Sequence, residues 1–140
     1  MCYYLLMKIY IAYRFTGEDP KVLRADMDAI SSALNNLGKE IFCSFDREQY
    51  FKDNNFTGKN IIEFSLNQMD NCDVVLCYIK SPEKSEGLLI EIGYAIAKNK
   101  DVYLLTEKDI KTTYLHEIAK KHLTFSGPSE ITQKTIELFA

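Results

Sequence analysis

The segment Cys72-Asp-Val-Val-Leu-Cys-Tyr-Ile79 constrains this chain more than any other. Apart from Asp73 it is an unbroken apolar run, far too short to cross a membrane as a helix. A run of this kind has no solvent face, as expected for a central strand of a parallel sheet covered by helices on both sides. Whatever flanks it must therefore supply further parallel strands and the crossover helices that join them.

The rest of the chain supplies them in alternation. Residues 8–13, Lys-Ile-Tyr-Ile-Ala-Tyr, read as an opening strand. Asp19 and Pro20 form a helix start, with the carboxylate as cap and the proline at the first helical position. Leu23, Met27, Ile30, Leu34 and Leu37 then draw one apolar stripe, which Gly38 ends. Glu40 to Phe45 is expected as a second strand. Residues 46–58 have no clean period and are expected as a polar loop, or a loop with a short helical turn, carrying Tyr50, Phe51 and Phe56. Ile61, Ile62, Ser65, Leu66 and Met69 mark a second helix.

After the central strand, residues 80–86 are a loop leading into a helix whose inner side is expected to hold Leu88, Leu89, Ile92, Ala95 and Ile96. Asp101 to Thr106 is a fourth strand, 112–121 a helix, His122 to Phe125 a last strand and 128–139 a closing helix. The expected fold is α/β: one flavodoxin/Rossmann-like domain with a parallel sheet of about five strands and helices on both faces. The natural strand order is 2-1-3-4-5, with a ligand crevice at the carboxyl ends of the first and third strands.

Composition narrows the function classes. The chain of 140 residues has room for one ordinary domain. With 17 basic against 20 acidic side chains it lacks the cationic surplus that a nucleic-acid binder needs. Cys2, Cys43, Cys72 and Cys77 form no C-x-x-C pair, and His116 and His122 lie far from them, so neither a metal site nor a disulfide framework is expected. Reduced thiols in the cytoplasm are the simpler reading. Neither a G-x-G-x-x-G after the first strand nor a P-loop is present, and no cofactor is expected.

Glu91 is the least ordinary residue. On a helical wheel it falls beside Leu88, Ile92 and Ala95, at the edge of the apolar stripe, where a carboxylate is partly desolvated. A rim glutamate paired with a lysine is the plainer alternative. Gly87 and Gly93 flank it, which suggests a close approach to the backbone. Ser85 lies at the helix start, where a hydroxyl and free amides suit an anion or a sugar hydroxyl, although Ser85 can also be only a cap.

These residues carry a likeness. Ser85-Glu-Gly-Leu-Leu-Ile-Glu91-Ile-Gly-Tyr-Ala95, with Asp73-Val-Val before it and Lys100-Asp-Val-Tyr-Leu-Leu after it, resembles the nucleoside 2-deoxyribosyltransferase family. That family includes the 2′-deoxynucleoside 5′-phosphate N-hydrolases and related CMP hydrolases. Lys8-Ile-Tyr10-Ile-Ala matches its opening strand, and the likeness spans roughly residues 7–126. The resemblance implies that Glu91 attacks the anomeric carbon and expels the base, with Tyr10 orienting the nucleophile.

Ser85 and Gly87 match the monophosphate-hydrolysing branch, where the transferases carry an aspartate at the position of Ser85. Arg14 and Thr16, after the first strand, would add phosphate contacts. Ser65 stands where the family places the aspartate that protonates the leaving base, a loss that typically costs about 10²–10⁴-fold in rate. His122-Leu-Thr-Phe125-Ser126-Gly lacks the asparagine that the transferases take from a neighbouring subunit.

The expected function is hydrolysis of the N-glycosidic bond of a (deoxy)nucleoside 5′-monophosphate. The alternatives are base exchange between deoxynucleosides, or a weakened nucleotide-binding or sensing module. The resemblance also implies a homodimer or higher homo-oligomer. No membrane and no nucleic-acid partner is expected.

Residues 7–140 are expected to form the domain and residues 1–6, Met-Cys-Tyr-Tyr-Leu-Leu, a dispensable extension, since Lys8 breaks the apolar run and no basic start precedes it. Removing residues 1–6 should lower the unfolding free energy by less than about 1 kcal/mol, a typical single-substitution effect, in urea titrations.

Overall fold

The computed structural model describes residues 6–140. Five strands, β1 (Lys8–Tyr13), β2 (Glu40–Cys43), β3 (Val74–Ile79), β4 (Asp101–Glu107) and β5 (Lys121–Phe125), form one sheet. Its order is β2-β1-β3-β4-β5 and every pairing is parallel. The helices are α1 (Pro20–Asn36), α2 (Glu48–Asp53), α3 (Gly58–Asp70), α4 (Glu86–Ala97), α5 (Leu115–Ile118) and α6 (Ile131–Phe139). The expected α/β fold and strand order are observed.

The period-two alternation of each strand divides the interior into two cores. On one face Ile9, Ile11, Val74, Leu76, Tyr78 and Leu105 pack under α1 and α6. On the other Tyr10, Ala12, Val75, Cys77, Val102 and Leu104 pack under α3 and α4 through Met69, Leu88, Ile92 and Ala95. β3 lies between β1 and β4 and is buried from Val74 to Tyr78, which accounts for its unbroken apolar run. No described helix is long and apolar enough to cross a membrane.

The helix ends follow their local chemistry. Asp19 accepts a hydrogen bond from the Lys21 amide with Pro20 in the first turn of α1, and Gly38 follows that helix at φ 76°, the left-handed region that glycine enters without strain. Thr57 and Asn60 form a reciprocal capping box on α3. Ser85 caps α4 by accepting from the Leu88 amide.

Several boundaries differ from the sequence expectation. β2 ends at Cys43 rather than Phe45, because Ser44 leaves the ladder for a 3₁₀ turn (Ser44–Arg47) and its hydroxyl donates to Tyr13 Oη. Residues 46–58, expected as a polar loop or a loop with a short helical turn, contain the six-residue α2. Residues 112–121 hold only the short α5, since Lys120 already bonds the Val102 carbonyl and so leads into β5. The closing segment begins with a 3₁₀ turn (Pro128–Glu130) before α6. On α4, Leu89 and Ile96 face solvent rather than the core, as does Ile90.

Candidate functional site

Three neighbouring elements bring the central group together. Tyr10 projects from the middle of β1, Ser65 from α3 and Glu91 from α4, all on the face of the sheet that α3 and α4 cover. Tyr10 and Ser65 are almost wholly buried, and Glu91 is partly so. Cys77, buried on β3, lies within electrostatic range of Glu91.

Desolvation pushes the Glu91 carboxyl up to about 8, while the Tyr10 hydroxyl, as a hydrogen-bonding neighbour, moderates the rise. Burial, reinforced by the nearby Glu91 charge, holds the Tyr10 phenol far above its ordinary value, so it stays protonated. Tyr10 Oη is fully buried and has Glu91 and Ser65 as hydrogen-bonding neighbours, yet no partner meets strict hydrogen-bond geometry among the described residues. A buried hydroxyl without a well-formed bond costs roughly 1–3 kcal/mol. The group is therefore poised rather than satisfied: a desolvated acid beside an under-used donor.

The amino end of α4 lies one turn and a half before Glu91. Ser85 spends its hydroxyl on the cap, and the amides of the first turn remain available to an anion. Gly87 faces α3: a Cβ there would meet only Ile62 Cδ1, at 3.9 Å, and Gly93 opens onto free space. No neighbour within the chain thus requires either glycine.

Arg14 is held elsewhere. Its guanidinium donates to Ser81 Oγ and to Glu83 Oε2, both at 3.1 Å, and lies 3.7 Å from Glu18 Oε1. Ser81 donates in turn to Glu18 at 2.6 Å. Gly17, at φ 84°, makes room for this arrangement, since a Cβ would fall 2.8 Å from Arg14 Nη2. Arg14 thereby braces the loop that leads to Ser85, and in this arrangement it is not free for a phosphate. Thr16 is exposed in the neighbouring turn.

A second brace lies deeper: the buried Asp26 on α1 accepts from Tyr78 Oη at 2.6 Å and from Lys80 Nζ at 2.9 Å. The sequence reading missed both braces, because their partners lie more than fifty residues apart.

Tyr50, Phe51 and Phe56, the aromatics of the 46–58 stretch, form a packed cluster with Phe42 and Phe64. Phe51 and Phe56 stack at 5.2 Å, Tyr50 meets Phe56 edge-on at 5.4 Å, and Phe42 stacks on Tyr10 at 5.4 Å. Phe51 is core, whereas Tyr50 is half exposed and remains accessible. A cleft of about 270 Å³ opens beside the start of α4 between Ser81–Lys84 and Ile110–Leu115, and Glu91 is not among its walls. No cluster of metal-ligating side chains occurs among the described residues.

Comparison with known proteins decides the family. Residues 9–126 match the family model described as nucleoside 2-deoxyribosyltransferase. The chain belongs to that family. It is thereby placed among enzymes that act on the N-glycosidic bond. No curated protein matches it.

Among solved structures it is similar to the CMP N-glycosidase BcmB of Clostridium botulinum, at 17% identity and TM-score 0.69, covering 95% of this chain and 99% of that one. It is also similar to a 2-deoxyribosyltransferase of the psychrotolerant Bacillus psychrosaccharolyticus, at 18% identity and TM-score 0.63, covering 89% and 90%. A response regulator receiver domain of Bacillus halodurans shares the fold as well, at 16% identity and TM-score 0.53, covering 97% and 99%. Likeness at these identities establishes the fold and no more, since one fold hosts unrelated functions.

The raised Glu91 pKa has a consequence for stability. The folded state keeps this proton up to about pH 8, whereas the unfolded chain releases it near 4.5. Between those values the folded state binds more protons, so this group lowers stability as pH rises. Glu91→Gln should therefore raise the melting temperature, with a gain at pH 8 exceeding that at pH 5 by at least ~1 kcal/mol in thermal melts.

Proposed function

We propose that this chain hydrolyses the N-glycosidic bond of a nucleoside 5′-monophosphate, with Glu91 as nucleophile. The observation that carries the reading is the pairing of a desolvated Glu91 with the poised Tyr10 hydroxyl, reached from a helix amino end one and a half turns away. A carboxylate stripped of solvent is costly to ionise but reactive once ionised. Tyr10 lowers that cost by donating to it, and positive charge developing at the sugar in an oxocarbenium-like transition state lowers it further.

Ser85 and the first amides of α4 would hold the phosphate, with the Gly87 backbone close by. Arg14 would join only by releasing the exposed Glu83, and Thr16 lies in the same turn region. Ser65 would contact the substrate beside Tyr10 without supplying a proton. The serine at position 85, with Gly87 two residues on, favours a monophosphate over a free nucleoside. A cytoplasmic setting fits Cys43, Cys72 and Cys77, all free thiols in buried positions.

The test is base release. With a panel of ribo- and deoxyribonucleoside monophosphates, the wild-type chain should liberate free base, followed by chromatography. Glu91→Ala should lower that rate by about 10⁴-fold or more. A new nucleoside formed on adding a second base would show exchange instead, and binding without release would favour a sensing role.

We further propose a homodimer built on the outer face of α4. Leu89, Ile90 and Ile96 are each nearly half exposed there, and Gly93 lies between them. The face has approximate two-fold symmetry about Gly93. In an antiparallel pair the glycines cross closely, Leu89 meets Ala97 of the other copy, and Ile90 meets Ile96. The acidic amino end, with Glu86, would approach the basic carboxyl end, with Lys98.

Light scattering should give the mass of two 16.2 kDa chains. Ile90→Glu should raise the dimer Kd at least ~10-fold, about 1.4 kcal/mol, while Val22→Glu on the exposed side of α1 should leave it unchanged.

A further inference from the structure

The cleft of about 270 Å³ beside the start of α4 takes no part in the proposed reaction, since neither Tyr10 nor Glu91 is among its walls. It opens at the carboxyl ends of β3 and β4, the rim where open parallel sheets receive ligands. The crevice between β1 and β3 lies one strand over.

Two loops form its walls, and each is held in place by bonds of its own. Arg14 fixes Ser81 and Glu83 on one side, through bonds of 3.1 Å to each. On the other side the Ile110 amide donates to the Glu107 carbonyl at 3.0 Å, and the Thr112 hydroxyl pairs with His116 Nδ1 on α5 at 2.6 Å. Ile79 of β3 and the buried Leu88 of α4 add apolar surface from the sheet and the helix. A cleft between braced loops does not have to order itself around an occupant, so little affinity is lost to conformational entropy.

The chemistry of the walls selects that occupant. Tyr114 is left 73% exposed, and its ring has no aromatic partner among the described residues. Lys84 and Lys111 stand on opposite walls, and neither makes an ion pair or a hydrogen bond among the described residues. Glu83, the one acid among the described wall residues, is already neutralised by Arg14 at 3.1 Å. The cleft thus combines apolar walls, a free aromatic face and two unpaired cations. A planar ring matches the first two, and a single anionic group matches the third. Its volume falls just under the roughly 300–1,000 Å³ of sites for drug-sized ligands, which limits the occupant to one or two rings.

We propose that this cleft binds a small aromatic monoanion, at a site separate from Tyr10 and Glu91. The inference does not depend on the glycosidic reading. Leu89 belongs both to this cleft and to the α4 face assigned to the dimer, so the test variants lie on the opposite wall.

The probes are 1-naphthoate, the uncharged 1-naphthamide and inorganic phosphate, titrated into the full chain and followed by backbone amide resonances. Naphthoate should bind one to one with a Kd below about 1 mM, shifting residues 81–89 and 110–115. Naphthamide should bind about tenfold more weakly at the same residues, and phosphate should shift none of them. Lys111→Glu should weaken naphthoate about fivefold or more while leaving naphthamide within about twofold. Lys108→Glu makes the same charge change on an exposed lysine outside the walls and should leave naphthoate within about twofold. Tyr114→Ala, at a side chain too exposed to support the core, should weaken both aromatic probes. No binding, shifts confined to other residues, equal affinity for acid and amide, or equal losses in the two lysine variants would each overturn the proposal.

Discussion

The rest of the molecule depends on the double burial of β3. Every side chain from Val74 to Tyr78 is committed to one core or the other, and the same holds for β1 from Ile9 to Tyr13. Chemistry is thereby driven to the carboxyl ends of these strands and to the helices that follow them. Tyr10 is the informative exception: it occupies a core position on β1, but its ring carries a hydroxyl into the layer between β1 and α4. A phenylalanine would pack there against Phe42 equally well. The hydroxyl therefore has a cost, which Glu91 and Ser65 beside it offset only in part.

Glu91 carries the complementary cost. Glutamate on a half-exposed helix edge would ionise freely, but here burial holds its proton. Neither strain is relieved by a cation: Tyr10 alone eases the Glu91 carboxyl, and Arg14 and Lys80 are held by Glu18, Glu83 and Asp26. The two braces formed by these side chains fix the loop between β3 and α4, and so fix where α4 begins. The start of α4 at Ser85 is thus positioned by side chains outside that helix.

The sequence shows the parts governed by local chemistry. The strand order, the Asp19–Pro20 start of α1 and the Ser85 cap of α4 follow from propensity, capping and the parallel rule, and the structure contains them. It is silent where distant groups decide. β2 stops at Cys43 because a hydroxyl on β1 captures Ser44. Leu89 and Ile96 are exposed although apolar, because α4 is apolar all round and periodicity cannot say which side meets the sheet.

The arrangement around Arg14 bears on what kind of anion the protein can accept. An arginine on a phosphate site is normally free or loosely held, yet here two carboxylates and a hydroxyl surround it. Glu18 is largely buried, so its hold on Arg14 is little screened, whereas the exposed Glu83 contributes little to stability. Under the proposed reading, a single phosphate at the amino end of α4 would need to displace only the exposed Glu83. A longer polyphosphate or a nucleic-acid backbone would meet Glu18 and Glu83 with Arg14 already engaged. The slight acidic surplus of the chain is thus compatible with one phosphate and unfavourable to many, because of how the few cations are paired rather than their number.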